Sequence, residues 1–335
     1  LVAYACGGLA DDHECVTYED ALNRLRLGMP VLVREGSTER NLVEIISGVV
    51  HAGLDTRHLM FCTDDKHPDD IRDEGHIDFM VNRAIELGMP PVQAIQIATL
   101  NAAIHFRQDG QIGSLTPGRW ADVILCERLE RVEPAQVFFK GKRVSEGRRL
   151  LQRVPPSQYP EWLRHTVSVT RGTDAEDFAV PASGSEVTVR LIELYPDQII
   201  NEEGRTRLPV QHGQIVATPA QDALKLSVVE RYGKNGNIGT GFVRGFGLKR
   251  GALASSVAHD HHNIVVVGTN DADMAACVRA IQEMQGGFVA VADGVEVGRL
   301  PLPLGGLLSD APVDEVIAAL EGLNAAVTQH MGGTL

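Results

Sequence analysis

Apolar positions in the first hundred residues alternate between two periods. Leu42, Ile45, Ile46, Val49 and Val50 recur at the three- and four-residue spacing of one helical face and predict a helix over 41–52. Thr38 stands ahead of it as a capping residue. Residues 18–27 carry acids early and Arg24 and Arg26 late, which suits a helix dipole. Residues 30–33 and 58–62 are short apolar runs, read as buried strands. Residues 77–87, closed by Gly88-Met89-Pro90, and residues 91–99 read as helices, and residues 1–8 as the tail of one. Strand and helix in alternation with short linkers imply parallel strands joined by crossover helices.

The pattern changes near Arg107. Gly113-Ser114-Leu115-Thr116-Pro117-Gly118 is turn chemistry, and residues 121–125 and 136–139 read as strands. Gly141-Lys142 reads as a hairpin turn ahead of Arg143-Val144. Residues 151–185, with Pro155, Pro156, Pro160 and Pro181, read as a linker region. Residues 186–335 mix strands with helices at 271–284, after Gly-Thr-Asn, and at 312–323, capped by Ser309 or Asp310. The boundaries that follow are 1–107, 108–150, 151–185 and 186–335.

The 335 residues allow two domains, and 44% hydrophobic and 22% charged content is ordinary for a globular chain. The formal charge of -13 argues against binding a nucleic-acid backbone but leaves a neutral nucleobase open. No apolar stretch approaches the ~20 residues of a membrane span. Cys6, Cys15, Cys62, Cys126 and Cys277 are scattered and form no C-x-x-C pair, so a reducing cytoplasm is the expected compartment. Leu1, without an initiator Met or a signal pattern, suggests a start inside a larger protein.

Chemistry concentrates where the first strands stop. His13 follows Asp11-Asp12 and a strand-like Gly8-Leu9-Ala10 stretch; it reads as a metal ligand at a strand end or as an exposed residue beside a capping aspartate. Asp64 ends the apolar run Leu59-Met60-Phe61-Cys62-Thr63. A carboxylate there is costly unless it is paired or binds metal. Asp65 reads as a supporting residue or substrate contact. Arg34-Glu35 orients substrate or ligands, or forms a solvated ion pair. His51, His58, His67, His76 and His105 have no ligand spacing and read as surface or packing residues. His259, His261 and His262 lead into a strand whose neighbours face opposite ways, so the three do not all converge. The glycine-rich segment 233–239 matches no phosphate-binding fingerprint.

Asp12-His13-Glu14, Arg34-Glu35-Gly36-Ser37, Cys62-Thr63-Asp64-Asp65 with Pro68, and the turn at 113–118 before Ala121-Asp122 resemble the bacterial adenine deaminases of the amidohydrolase superfamily. Ser256-Val257-Ala258-His259-Asp260, His262-Asn263, Val266-Val267-Gly268-Thr269-Asn270 and the segment 302–310 are similar to that family's C-terminal domain. The resemblance covers essentially the whole chain, and its second half is the more specific. It implies an α/β chain: the C-terminal part of a metal-dependent (β/α)₈ barrel, strands of a flanking β-sandwich and a C-terminal α/β domain. It implies hydrolysis of adenine to hypoxanthine and ammonia, a step of purine salvage, at a binuclear centre with Mn²⁺ or Fe²⁺. By position His13 and Asp64 look like metal ligands, with Asp64 also moving the proton. Glu14 looks like a catalytic residue that donates to or accepts from the purine ring, and Asp65, Arg34, Glu35, His259, His262 and Asn263 look like substrate-binding residues. His261 departs from the family pattern.

The larger departure is what lies outside the chain: no His-x-His pair of a first strand and no bridging carboxylate of a middle strand is found. A full barrel needs ~250 residues. The resemblance therefore implies a partner in the missing N-terminal part of the same enzyme, a homo-oligomer such as a dimer, and weak metal binding by this chain alone. A dihydroorotase-like cyclic amidohydrolase and a non-catalytic assembly module are the alternatives. Zinc cytidine-type deaminases are excluded by the absent Pro-Cys-x-x-Cys signature.

Overall fold

Helix and strand alternate through the first hundred residues much as the two hydrophobic periods require. The computed structural model describes residues 1–334 and divides into a first unit, Leu1–Pro156 with Asp197–Ile199, and a second, Ser157–Pro196 with Ile200–Leu335. The first unit runs α1 (Val2–Cys6), α2 (Tyr18–Arg26), β1 (Val31–Arg34), α3 (Leu42–Ala52), β2 (Leu59–Cys62), α4 (Pro68–Asp73), α5 (Ile77–Glu86) and α6 (Pro91–Gln96). The helix expected to stop at 99 continues through a π-wound turn, Ile97–Asn101, into α7 (Ala102–His105). The buried Asn101 amide explains the anchorage: it donates to the carbonyls of Thr56, at 2.7 Å, and Leu59, at 2.9 Å, at the entry to β2.

β1 and β2 pair in parallel with Val31 opposite Leu59, and Asp12 makes a parallel bridge to Val31 on the other side. The core lies between this arc and its crossover helices. Leu42, Ile45, Ile46 and Val49 of α3 pack there with Val31, Val33, Leu59 and Phe61. The start of α3 corrects the capping expectation. Its N-terminal Asn41 makes no side-chain cap, and Thr38 donates instead to Glu39; the Glu35 carboxylate accepts from Leu42 N–H at 3.0 Å. A buried acid at a strand end thus satisfies an open amide of the next helix.

Strands β3 (Val123–Leu125), β4 (Gln136–Phe139), β5 (Lys142–Glu146) and β6 (Arg149–Leu150) form an antiparallel sheet in that order. Phe139 lies opposite Lys142, so the turn is Lys140-Gly141, both at positive φ, one residue earlier than expected.

The second unit is built on a sheet of β7 (Glu186–Leu194), β8 (Asn201–Gln211), β9 (Gln214–Ile215), β10 (Leu224–Val229), β11 (Ile238–Arg244), β12 (Ala252–Ser255), β13 (Ile264–Gly268), β14 (Gly287–Ala292) and β15 (Val295–Pro301). Its spatial order is β15-β14-β12-β13-β10-β11-β7-β8-β9, antiparallel except between β11 and β7. Helices α8 (Asp271–Glu283) and α9 (Val313–Ala326) cover its two faces. Val266, Val289 and Val291 meet Met274, Val278 and Ile281 of α8; Val267, Ala290 and Ala292 pack with Leu320 and Leu323 of α9. Successive strand residues point to opposite faces, which is why these strands read as unbroken apolar runs.

Two expectations change here. The linker expected at 151–185 is one only in part, since from Ser157 the chain belongs to the second unit and buries Val167 and Phe178 in its core. Neither Ser309 nor Asp310 caps α9: Pro312 occupies that position, and Asp310 pairs with Arg164 at 2.5 Å.

Two predictions follow from the first unit. A Cβ on Gly48 of α3 would lie 2.3 Å from the Tyr18 ring of α2. Alanine gains about 1 kcal/mol of helix propensity, but overpacking costs about 1–3 kcal/mol, so Gly48→Ala should lower the urea midpoint; a raised midpoint would show that the contact yields. Asp12 accepts from Glu14 N–H and Arg24 Nε, each at 2.7 Å. Burial pushes this carboxyl up, but the Glu14 amide and the Arg24 guanidinium outweigh it and hold it below its usual value. A depressed carboxyl contributes stability that is present above its unfolded pKa and lost as pH falls through the folded one. Asp12→Asn should therefore cost about 1–3 kcal/mol at neutral pH and progressively less at acid pH, the loss vanishing only once the folded carboxyl, held below its usual value, is itself protonated. Denaturant titrations at neutral and acid pH check this, and an equal loss at both would remove the charge from the explanation.

Candidate active site

Parallel pairing delivers the exits of three neighbouring segments to one edge. Residues 12–14 leave beside β1, Arg34-Glu35 leave β1, and residues 62–64 leave β2. Asp64 sits at φ +57°, a left-handed conformation that an aspartate tolerates and that turns the chain sharply off the strand. His13 Nε2 then lies 3.7 Å from Asp64 Oδ1 and 3.4 Å from Glu14 Oε1. His13 is 47% and Asp64 32% exposed, so both open to solvent. The second carboxylate oxygen of Glu14 accepts from Arg34 Nη1 at 2.7 Å. Arg34 is 1% exposed and also donates to Asn41 Oδ1 at 3.1 Å. Its Nε and the Asn41 Nδ2 are buried without a partner. Arg34-Glu35 is thus not a solvated ion pair: Arg34 fixes Glu14 from inside, and Glu35 caps α3. Burial pushes the Glu35 carboxyl up.

His13 and Asp64 fit a divalent cation. Imidazole nitrogen and carboxylate oxygen suit first-row metals. Two such ligands, each about 2.0–2.2 Å from an ion, reach across 3.7 Å without rearrangement. The nearby thiols are held protonated in the metal-free chain. Burial first, and the Asp64 charge second, push Cys62 up to about 12. Burial does the same to Cys15. A thiol that stays protonated is neither a nucleophile nor a ligand.

Sequence reading missed the layer behind these groups. Ser37 Oγ accepts from His67 N–H at 2.7 Å and donates to Asp70 Oδ2 at 2.5 Å. Glu74 takes Lys66 Nζ at 2.7 Å and Arg40 Nη1 at 2.9 Å. Together they tie the loop after β2, and so Asp64, to the loop after β1. His67, Asp69 and Asp70 also bring donor atoms within 4.8 Å of one another, but Asp70 is already engaged by Ser37 and Arg40. His105, expected at the surface or in packing, pairs with Asp11 at 2.6 Å. The one sequence signal for this layer was the density of short polar residues in 63–76.

In the second unit the expected residues gather on the loop between β12 and β13. The rings of His259 and His262 stand edge to face, 4.9 Å between centroids. His262 Nδ1 accepts from Ala258 N–H at 3.3 Å, and burial and the neighbouring His259 and Arg231 lower its pKa. Asn263 Oδ1 accepts from Arg231 N–H at 3.4 Å. His261 turns aside, its Nδ1 accepting from Asn263 N–H. Glycine-rich 233–236 holds no ligand cradle: the amides of Tyr232, Lys234, Asn235 and Gly236 point at the Glu230 carboxylate.

Comparison with known proteins agrees with both units. Residues 10–144 match the amidohydrolase family, and residues 198–335 match the adenine deaminase C-terminal domain. An adenine deaminase of Desulforamulus reducens is 51% identical over 329 residues, 98% of this chain and 56% of that protein. An adenine deaminase of Moorella thermoacetica is 42% identical over 328 residues, 97% of this chain and 55% of that protein. The chain spans about half the length of the curated relatives it matches. Among solved structures, a β-aspartyl dipeptidase of Fervidobacterium islandicum AW-1 covers 41% of this chain and 38% of its own at 19% identity and a TM-score of 0.34, too low to carry an argument. Residues 10–144 thus match the amidohydrolase family and residues 198–335 the adenine deaminase C-terminal domain, and along nearly its whole length the chain is similar to the C-terminal part of adenine deaminases.

Proposed function

We propose that this chain supplies part of the active site of an adenine deaminase, which converts adenine and water to hypoxanthine and ammonia. The observation that carries the reading is the convergence of His13 and Asp64 at 3.7 Å from the two segments that flank β1. Residues 1–107 are read as the closing arc of a (β/α)₈ barrel, whose chemistry sits at this end of the strands. Residues 108–150 are read as part of a flanking sandwich, and residues 186–335 as the C-terminal α/β domain. The compartment is the cytoplasm and the assembly a homo-oligomer such as a dimer.

His13 and Asp64 would hold a divalent cation, Mn²⁺ or Fe²⁺, which when bound supplies a hydroxide nucleophile at neutral pH. In the reaction an O–C6 bond forms and the C6–N bond of the exocyclic amine breaks. Asp64 receives the proton of the attacking water and passes it to the departing nitrogen, which leaves as ammonia. Glu14, its far oxygen held by the buried Arg34, exchanges a hydrogen bond with a purine ring nitrogen and so aligns C6 for attack. Asp65 is read as a further substrate contact, while Glu35 acts through the helix it caps. His259, His262 and Asn263 are read as contacts to the purine ring.

The assay is adenine turnover by the native protein loaded with Mn²⁺ or Fe²⁺. Asp64→Asn should abolish turnover with circular dichroism unchanged, and His13→Ala should lower bound metal as well. Near-normal turnover by Asp64→Asn would strip that residue of its role. Opening of a cyclic amide, with adenine untouched, would favour the dihydroorotase-like alternative. Two ligands also make an incomplete binuclear centre, the rest coming from the N-terminal part of the enzyme. Equilibrium dialysis of the 335-residue chain against Mn²⁺ should find weak, substoichiometric binding, whereas two tightly held ions per chain would contradict a divided centre.

A further inference from the structure

Glu14 stands between two tasks. Its Oε1 is 3.4 Å from His13 Nε2, nearer than Asp64 Oδ1 at 3.7 Å. Carboxylate oxygen and imidazole nitrogen both suit first-row metals, so an ion drawn to His13 has two carboxylates within range. Yet His13, Glu14 and Asp64 do not close into one ligand set. Among the described residues, the one group of three whose donor atoms lie within 4.8 Å of one another is His67, Asp69 and Asp70. The two carboxylates near His13 differ in what holds them. Asp64 is placed by a backbone turn at φ +57°, and among the described residues no lysine or arginine pairs with it. Glu14 is pulled the other way: its Oε2 accepts from Arg34 Nη1 at 2.7 Å.

The pull is built from inside. Arg34 is 1% exposed and uses both ends of its planar fork, Nη1 to Glu14 and Nη2 to Asn41 Oδ1 at 3.1 Å. Asn41 is 1% exposed as well and occupies the N-cap position of α3. An asparagine there ordinarily turns its oxygen onto the first amides of its own helix. This one makes no cap, and the Glu35 carboxylate accepts from Leu42 N–H in its stead. The Asn41 Nδ2 has no partner, so among the described residues the bond from Arg34 is the one task of that side chain. Two residues are thus drawn out of their local roles to fix one guanidinium, and the guanidinium fixes one oxygen of Glu14. Leaving Asn41 Nδ2 and Arg34 Nε buried without partners is costly. The cost makes sense if the direction of Glu14 matters to function.

We propose that Asn41 and Arg34 are positioning residues that withhold Glu14 from the metal: they hold its carboxylate back from the ion of His13 and Asp64, so that it stays free to meet the purine. The inference rests on the reading of His13 and Asp64 as a metal pair and of Glu14 as the purine contact, and it adds what keeps the two tasks apart. Released from Arg34, Glu14 becomes a further ligand. Metal is then held more tightly and substrate less well, whereas a merely structural bond, once lost, would loosen the metal or leave it as it was.

The test uses the native protein loaded with Mn²⁺ and follows two readouts: the rate at which a chelator strips the ion, and kcat/KM for adenine. The variants are Arg34→Met, Asn41→Leu, Asn41→Asp and Glu14→Ala, with Arg34→Met and Glu14→Ala also combined. Gly48→Ala is the control, because it strains α3 against Tyr18 without touching the site. Arg34→Met should release Mn²⁺ roughly tenfold more slowly than the parent and lower kcat/KM about 10- to 100-fold, the scale on which groups behind a metal site act. Asn41→Leu should move both readouts the same way by roughly two- to fivefold. Asn41→Asp keeps an acceptor for Arg34 and should match the parent. Glu14→Ala should lower kcat/KM as far as Arg34→Met does but release Mn²⁺ at the parent rate, and the combined variant should do the same. The control should lower Tm and move neither readout. If Arg34→Met and Asn41→Leu release the ion at the parent rate or faster, Glu14 is not being withheld and the proposal is overturned. If the combined variant keeps the slow release, the added ligand is not Glu14, and the proposal falls in that case too. If the native protein holds Mn²⁺ but ignores adenine, the deaminase reading fails by itself, and the release rates still decide whether Glu14 is withheld. If the native protein holds no Mn²⁺, the metal pair and this inference fail together.

Discussion

Parallel register is the constraint from which the first unit's chemistry follows. With Val31 opposite Leu59 and Asp12 bridged to Val31, three successive segments run the same way, and each ends at the same edge. Inside the arc every position is claimed by packing, so β1 and β2 are nearly all apolar. The first position at which a polar group escapes burial is the exit, and there the chain places His13 and Asp64, with Arg34 and Glu35 buried just behind them. A slip of one residue in any segment would send these side chains to the opposite face and put apolar ones in their place. The site is therefore a property of the register before it is a property of any one residue.

Holding that edge open requires charges that do not face it. Arg34 is almost wholly buried, yet its partner Glu14 is half exposed, so the pair carries rigidity from the core to the surface. Glu35 spends its carboxylate on Leu42 N–H, and Asp12 spends both oxygens on Glu14 N–H and Arg24. Ser37 and Arg40 reach across to Asp70 and Glu74, and Lys66 pairs with Glu74 within the segment that begins at Asp64. These side chains bond to neighbouring segments or brace their own, and together they fix His13 and Asp64 to within the reach of one ion. Pre-organisation of this kind is what an inward-facing polar layer contributes to a site.

Much of the fold was legible because the periods are clean. The face of α3, both buried strands and the Asn270 cap of α8 stand in the sequence where the structure has them. The errors cluster where a distant partner overrides local chemistry. Thr38 has the right side chain to cap α3, but Glu35 reaches Leu42 from the preceding strand. Prolines between 155 and 181 suggested a linker, yet Val167 and Phe178 bury against α8 and its sheet, and proline content says nothing about such contacts. The residues of the site could be named from the sequence because they stand at strand exits. The pairing of Arg34 with Glu14, twenty positions apart, could not, since nothing local encodes it.

The two units hold their buried arginines in opposite ways, and the difference matters electrostatically. Arg34 faces a carboxylate, so its charge is compensated at close range and the edge around His13 and Asp64 keeps little excess field from it. Arg231 faces carbonyl dipoles, which take its Nε and Nη2 donors, leave Nη1 without a partner and do not cancel its charge. Its positive field therefore persists in the loop above it. There it acts with burial and with His259 to disfavour protonation of His262. A protonated ring would have no acceptor for the Ala258 amide, so a neutral His262 is what the backbone hydrogen bond of this loop requires. The buried cation and the lowered histidine belong to one arrangement: carbonyls hold the arginine, the arginine holds the loop, and burial first, then His259 and the arginine's charge, disfavour the protonation that would break the loop's own hydrogen bond.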